Sequence, residues 1–231
     1  MERKNFCIMN KADQALSSVL LQNNHKSGIT RLGLMGGTFD PIHMGHLVTA
    51  EEARQQFKLD YVVYVPAGCP PHKESGDITL PEHRFLMTSL AVMSNPYFYV
   101  SRVELDCKVS SYTIDTVKHF LYGIKGEIQL YFITGADAIL EIFSWKNYEE
   151  LLSLCTFIAV SRPGYSLDSF HENLRKACPS LQYSVHLLEI PSLSVSSTFI
   201  RERVALGKTI KYLTPEPVEQ YIKKIGLYKT G

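Results

Sequence analysis

Apolar positions along this 231-residue chain fall into two alternating regimes. Short runs of apolar, β-branched and aromatic residues at 31–35, 61–66, 97–104, 128–134, 157–161 and 184–189 read as strands. Tyr61, Val62, Val63, Tyr64 and Val65 show no polar alternation, as expected of a parallel strand covered on both faces. Between these runs lie longer stretches of mixed character, 45–57, 81–93, 112–122, 136–143, 167–177, 196–206 and 215–225, which predict helices. Pro81 suits a first helical turn, and Gly207 and Gly226 stand where C-terminal stops belong. The alternation predicts an α/β fold, a doubly wound parallel sheet with helices on both faces. Such sheets bind ligands beyond the carboxyl ends of their strands.

Residues 30–231 read as one domain, because no Pro/Gly/Ser-rich linker divides them. Residues 1–29 differ and read as an N-terminal extension, flexible or partly helical around 13–21. Only Val19, Leu20 and Leu21 form a continuous apolar stretch there, too short for a secretory signal. The net charge of +1 offers no basic field for nucleic acid. No apolar run approaches the roughly 20 residues of a membrane helix. Cys7, Cys69, Cys107, Cys155 and Cys178 are scattered without a CxxC pair, which fits reduced thiols in a cytoplasm and argues against zinc.

The chemistry concentrates where the first strand meets the first helix, in Gly36-Gly37-Thr38-Phe39-Asp40-Pro41-Ile42-His43-Met44-Gly45-His46. Strand, glycine turn and helix N-terminus together favour an anion, commonly a phosphate. Neither GxGxxG nor GxxxxGK[ST] is present, so this is not a dinucleotide fingerprint or a P-loop. His43 and His46 bracket Gly45, and imidazole donors strengthen as charge builds in a transition state. A lone histidine there would suit a structural role; two of them shift the reading to catalysis.

Five further segments and the single tryptophan have both a plain and a functional reading. Ser194-Val195-Ser196-Ser197-Thr198-Phe199-Ile200-Arg201 is a hydroxyl-rich helix start with an arginine one turn in, an ordinary cap or a phosphate grip. Gly135-Ala136-Asp137 follows a strand, where Asp137 either favours the helix dipole or accepts from ribose hydroxyls. Pro70-Pro71-His72-Lys73 and Arg162-Pro163-Gly164 are rigid loops carrying one cation each beside the chemistry-bearing ends. Ser110-Ser111-Tyr112-Thr113 opens a helix, and Trp145, the single tryptophan, is by habit a core residue.

Taken together these segments resemble the bacterial nicotinate-nucleotide adenylyltransferases of the HxGH nucleotidyltransferase superfamily. The first motif is similar to GGxFxPxHxGH, and the later segments to PPHK, SYT, GxD, RPG and ISSTxIR, with Val195 in place of Ile. The resemblance runs from Arg31 to about Tyr228 and says nothing about residues 1–29. It implies a Rossmann-like sheet and transfer of AMP from ATP to nicotinate mononucleotide. By position it makes His43, His46, Lys73 and Arg201 the catalytic set. It assigns ATP to Gly36, Gly37, Thr38, Phe39, His46, Gly135, Asp137, Arg162, Ser197, Thr198 and Arg201. It assigns the pyridine nucleotide to Ser111, Tyr112, Thr113, Trp145 and Tyr148, with Trp145 stacked on the ring. Backbone N–H groups near Thr113 and Tyr148 suit a pyridine carboxylate better than an amide. Mg²⁺ is expected to arrive with ATP, held by phosphates and water, with no dedicated protein metal cluster. A homo-oligomer is compatible with the chain. Rival readings are an HxGH enzyme for nicotinamide mononucleotide or pantetheine phosphate, a non-catalytic nucleotide sensor, and a dinucleotide-dependent oxidoreductase, the last disfavoured by the absent GxGxxG.

Overall fold

The computed structural model describes residues 13–14, 17–19, 28–68, 78–107, 112–161, 166–190 and 194–229. Six parallel strands form one sheet: β1 (Ile29–Gly37), β2 (Tyr61–Pro66), β3 (Phe98–Val100), β4 (Glu127–Gly135), β5 (Thr156–Ser161) and β6 (Val185–Glu189). Their order is β3-β2-β1-β4-β5-β6. The chain therefore winds outward from β1 in both directions, and a crevice opens between the carboxyl ends of β1 and β4. The Rossmann-like expectation is met.

Alternation along the strands splits the core in two. Leu32 and Leu34 of β1, Val63 and Val65 of β2, Leu130 and Phe132 of β4, and Phe157 and Ala159 of β5 face one side. That side is covered by α3 (Thr113–Gly123), α4 (Ala136–Leu140), α5 (Tyr148–Leu154) and α6 (Asp168–Ala177). Met35, Val62, Tyr64, Tyr131, Ile133 and Ile158 face the other. There α1 (Met44–Gln56), α2 (Pro81–Val92), α7 (Ser197–Ala205) and α8 (Glu216–Ile225) pack. The C-terminal helices thus share a face with the helix that follows the glycine turn, which lets them reach that turn.

The structure departs from the sequence reading in three places. The strand expected over 97–104 ends at Val100. Ser101 still pairs with β2 through Tyr64, but its hydroxyl accepts from the amide of Val103, and Arg102 reaches Asp106 four residues on, so the chain turns. The helix expected over 136–143 stops at Leu140 and passes into a single 3₁₀ turn, Ile142–Ser144. A helix not foreseen, α5, follows. Its start is signalled by Asn147 in the left-handed region at φ 50°, with Glu149 and Glu150 in the first turn. Of the N-terminal extension, Asp13 is buried and its carboxylate meets His119 Nε2 of α3 at 3.1 Å. Among the described residues no helix is long and apolar enough to cross a membrane.

Candidate active site

Gly36 and Gly37 are the last residues of β1, paired with Val65 and Pro66 of β2, so the turn proper begins at Thr38. The turn carries a cis peptide between Asp40 and Pro41, and Phe39 adopts φ 50°, a region bulky side chains rarely occupy. Phe39 is only 2 % exposed: its ring packs edge-on beneath His46 and against Tyr64. What Phe39 can present to a nucleotide is its backbone, with the side chain serving as the floor under His46. A Cβ on Gly37 would stand 2.8 Å from that ring, so glycine is needed there for the turn to close over it.

Distant residues hold the turn by its carbonyls. Ala67 N–H donates to Gly37 O (2.8 Å), Arg84 Nη1 to Thr38 O (2.8 Å) and Arg201 Nη1 to Asp40 O (2.8 Å). Ser197 Oγ donates to Pro41 O (2.9 Å) and Thr214 Oγ1 to Ile42 O (2.8 Å). In a trans peptide the C=O and the following N–H point in opposite directions. Carbonyls drawn into the protein therefore turn amides outward, and among the described residues no group accepts from the amides of Thr38 or Phe39. The result is the cradle of donors that an anion requires.

The same logic sets the histidines. Thr214 fixes the Ile42–His43 peptide, whose N–H donates to His46 Nδ1 at 3.2 Å. With Nδ1 accepting, the neutral imidazole of His46 carries its proton on Nε2, leaving a donor on the far side of the ring. His43 and His46 stack with centroids 3.7 Å apart and planes 25° apart. Burial holds His43 down to about 4. Burial, and then the proximity of His43, holds His46 down to about 3. Both are neutral donors near pH 7 until an anion arrives. Gly45 must be small because a Cβ there would lie 3.0 Å from His43 Cε1 and Nδ1.

The C-terminal cap closes the site from one side. Ser196, and not Ser197, is the N-cap of α7, accepting from Phe199 N–H. The hydroxyl of Ser197 is taken up by the turn, Arg201 also bonds Thr198 Oγ1 at 3.3 Å, and Thr198 is exposed. Ser197 and Arg201 thus brace the turn as well as border it. At the end of β4, Gly135 and Asp137 are exposed on the crevice-forming strand, Asp137 in the first turn of α4.

The other group of expected residues lies on the opposite face and is joined to the turn by one ring. Phe132 of β4 stands 3.5 Å from where a Cβ of Gly36 would be, and packs edge-on against Trp145 at 6.1 Å between centroids. Trp145 is half-buried, with Phe157, itself packed on Phe132, 6.3 Å away on the same side. Lys146 lies 4.1 Å over the ring of Tyr112 and pairs with Asp115 at 3.7 Å, which brings the 145–148 segment to the N-terminus of α3. Thr113 and Tyr148 are the first residues of α3 and α5, so their amides are among those a helix leaves unpaired. The phenol of Tyr148 approaches Cys178 at 3.5 Å and Glu149 at 3.3 Å, the Cys178 bond chiefly raising it to about 12. Lys73, Ser111 and Arg162 lie outside the described residues.

Comparison with known proteins places this geometry. A family model described as Cytidylyltransferase-like matches residues 34–203. The chain is 56 % identical over 201 residues to a Thermoanaerobacter protein named "Probable nicotinate-nucleotide adenylyltransferase", covering 86 % of this chain and 94 % of that one. A Moorella thermoacetica protein of the same name is 54 % identical over 199 residues, covering 86 % and 92 %. The chain belongs to the nicotinate-nucleotide adenylyltransferase family. The fold is shared with the Plasmodium falciparum nicotinic acid mononucleotide adenylyltransferase, at a TM-score of 0.68 and 24 % identity over 86 % of this chain and 97 % of that one. Around the adenylyltransferase motifs, sequence reasoning missed Arg84, Thr214 and Tyr228. Arg84 alone had a readable signal: a cation three and four residues before Met87 and Thr88, on the buried stripe of α2.

Proposed function

We infer that this chain is an adenylyltransferase that moves AMP from ATP to nicotinate mononucleotide, giving nicotinate adenine dinucleotide and pyrophosphate, a step of NAD biosynthesis. The observation that carries the reading is the stacked, neutral imidazole pair on an amide cradle at the crevice between β1 and β4. The names of the curated relatives support the acceptor, as do the Plasmodium structures titled as complexes with NaAD and with APC.

The 5′-phosphate of the acceptor is already an anion. One of its oxygens forms a bond to the α-phosphorus of ATP while the bond from that phosphorus to the bridging oxygen breaks and pyrophosphate departs. No covalent intermediate and no strong base are needed, so catalysis is alignment plus stabilisation of charge. His46 Nε2–H donates to the oxygens that gain charge, and His43, stacked beside it, meets the neighbouring phosphate. The Thr38 and Phe39 amides receive further oxygens, and Arg201 and Lys73 supply positive charge. Asp137 takes the ribose of the adenylyl group, Arg162 and Thr198 border ATP, and Trp145 stacks on the pyridine. The amides of Thr113 and Tyr148 favour a carboxylate, with Ser111 and Tyr112 beside them. Mg²⁺ comes as part of the ATP substrate. The turn offers donors, and its one carboxylate, Asp40, is engaged by Tyr228 and Thr79, a set that suits phosphate oxygens and not a bare cation. The compartment proposed is the cytoplasm.

The test is pyrophosphate release from ATP and Mg²⁺ with the acid or the amide mononucleotide as acceptor. Release with the acid, at least about tenfold faster than with the amide, is expected from a site of donors alone. Equal rates would sink the carboxylate reading, and no release with either would sink the activity.

A further inference from the structure

Arg84 lies one turn into α2 and is 1 % exposed, so it touches no substrate. Its guanidinium nonetheless grips three separate stretches of main chain. Nη1 donates to Thr38 O at 2.8 Å, Nε to Thr79 O at 3.0 Å and Nη2 to Gly68 O at 3.3 Å. Gly68 and Thr79 flank residues 69–78 in the chain, and Thr38 opens the phosphate turn. Thr79 is held through its amide too, its N–H donating to Asp40 Oδ2 at 3.1 Å, while Asp40 Oδ1 accepts from Tyr228 OH at 2.6 Å. A buried arginine is costly to desolvate, and its place in a fold is justified by what its rigid fork orients.

The consequence falls on one amide. Thr38 C=O and Phe39 N–H belong to the same planar trans peptide and point oppositely. Holding the carbonyl inward aims the amide outward, at the position where the phosphates are expected. We propose that Arg84 is a positioning residue for phosphate transfer: by fixing Thr38 O it aims the Phe39 amide at the phosphates and ties the turn to both ends of the β2–α2 connection. The assignment rests on the adenylyltransferase reading. It is a role for a planar fork with divergent donors, so lysine, a single point donor, cannot reproduce it.

The experiment compares Arg84→Lys and Arg84→Met with the wild-type chain. Melting temperature, kcat, both KM values, and pyrophosphate affinity by titration calorimetry are measured. In a folded variant kcat is expected to fall about tenfold or more, with pyrophosphate affinity weakened by a similar factor, since small misplacements of aligned groups are costly. The KM for nicotinate mononucleotide should change by less than about threefold, because the Thr113 and Trp145 part of the site hangs on α3 and β4 and not on this fork. A folded variant with kcat and pyrophosphate affinity within about twofold of wild type overturns the proposal; a purely structural residue would lower only the melting temperature. Should both variants fail to fold, Tyr228→Phe decides. It loosens Asp40, the second grip on Thr79, and a fall in kcat of about threefold or more supports the linkage, whereas an unchanged kcat overturns it. If wild-type chain binds pyrophosphate but does not use nicotinate mononucleotide, the substrate reading has failed and the calorimetric comparison still judges Arg84.

Discussion

Replacing Gly45 by alanine should separate stability from activity. Gly45 is the second residue of α1, so alanine is conformationally acceptable there and favours the helix by roughly 0.5–1 kcal/mol. Its Cβ, however, would stand 3.0 Å from His43 Cε1 and Nδ1. Carbon atoms in comfortable contact are about 3.5–4.0 Å apart, so the ring must give way by a few tenths of an ångström. The His43 ring also stacks on His46 at 3.7 Å, so a shift of one imidazole is passed to the other. Overpacking of this kind costs about 1–3 kcal/mol, partly offset by the helix gain. The net change in stability is then within about 2 kcal/mol, a few degrees in melting temperature for a domain of this size. Catalysis is less forgiving: displacement of aligned groups by about 1 Å costs on the order of 10²-fold, about 2.7 kcal/mol of transition-state stabilisation, so a shift of a few tenths is expected to lower turnover by roughly threefold to tenfold. Steady-state pyrophosphate release at saturating substrates, read beside a thermal melt, tests this. Gly36→Ala is the contrast, because its Cβ would meet only Phe132 at 3.5 Å, an ordinary contact. Any loss there reports on the ligand. A Gly45→Ala enzyme with wild-type turnover would refute the argument that His43 needs the space over this glycine.

Three further outcomes follow from the same geometry. His46→Ala should lower kcat by roughly 10²-fold or more, the range for loss of a transition-state donor, and near-normal single-turnover rates would remove it from the catalytic set. Trp145→Ala should mainly raise the KM for the pyridine nucleotide, and an effect confined to ATP would contradict the stacking role. Burial holds His43 to about 4 and His46 to about 3 in the folded chain, against 6.5 unperturbed. The unfolded chain then binds more protons between those values, so the stability from neutral histidines is present above about pH 6.5 and drains as pH falls. By linkage each contributes a loss of roughly 2 kcal/mol between pH 7 and pH 5. A His43→Gln, His46→Gln double variant should show a flatter decline across that window by denaturant titration, and an identical slope would show that the pair is not buried neutral.

Much of the fold was legible because its signals are local. The runs at 61–66, 128–134 and 157–161 could only be buried strands, and the glycine turn announced its own helix. The strand at 97–104 was overread because Arg102 and Asp106 bend the chain through a contact that a run of β-formers conceals. The helix α5 was missed because it spans only seven residues, too few for a helical period to repeat. The clamp on the turn was largely out of reach: Ser197, Arg201, Thr214 and Tyr228 meet residues 40–42 across at least 156 positions of chain.

Sequence alone determined the alternation of strand and helix, the placement of a glycine turn after the first strand, and the two imidazoles beside it, since hydrophobic period and turn chemistry act over a few residues. Tertiary structure decided the state of that machinery. Burial, which depends on what packs over a side chain, left both histidines neutral. A hydroxyl from Thr214 oriented the peptide that sets the His46 tautomer. Carbonyls gripped from distant elements turned the amides outward. Desolvation and long-range hydrogen bonds belong to the assembled fold, and no short stretch of chain encodes them.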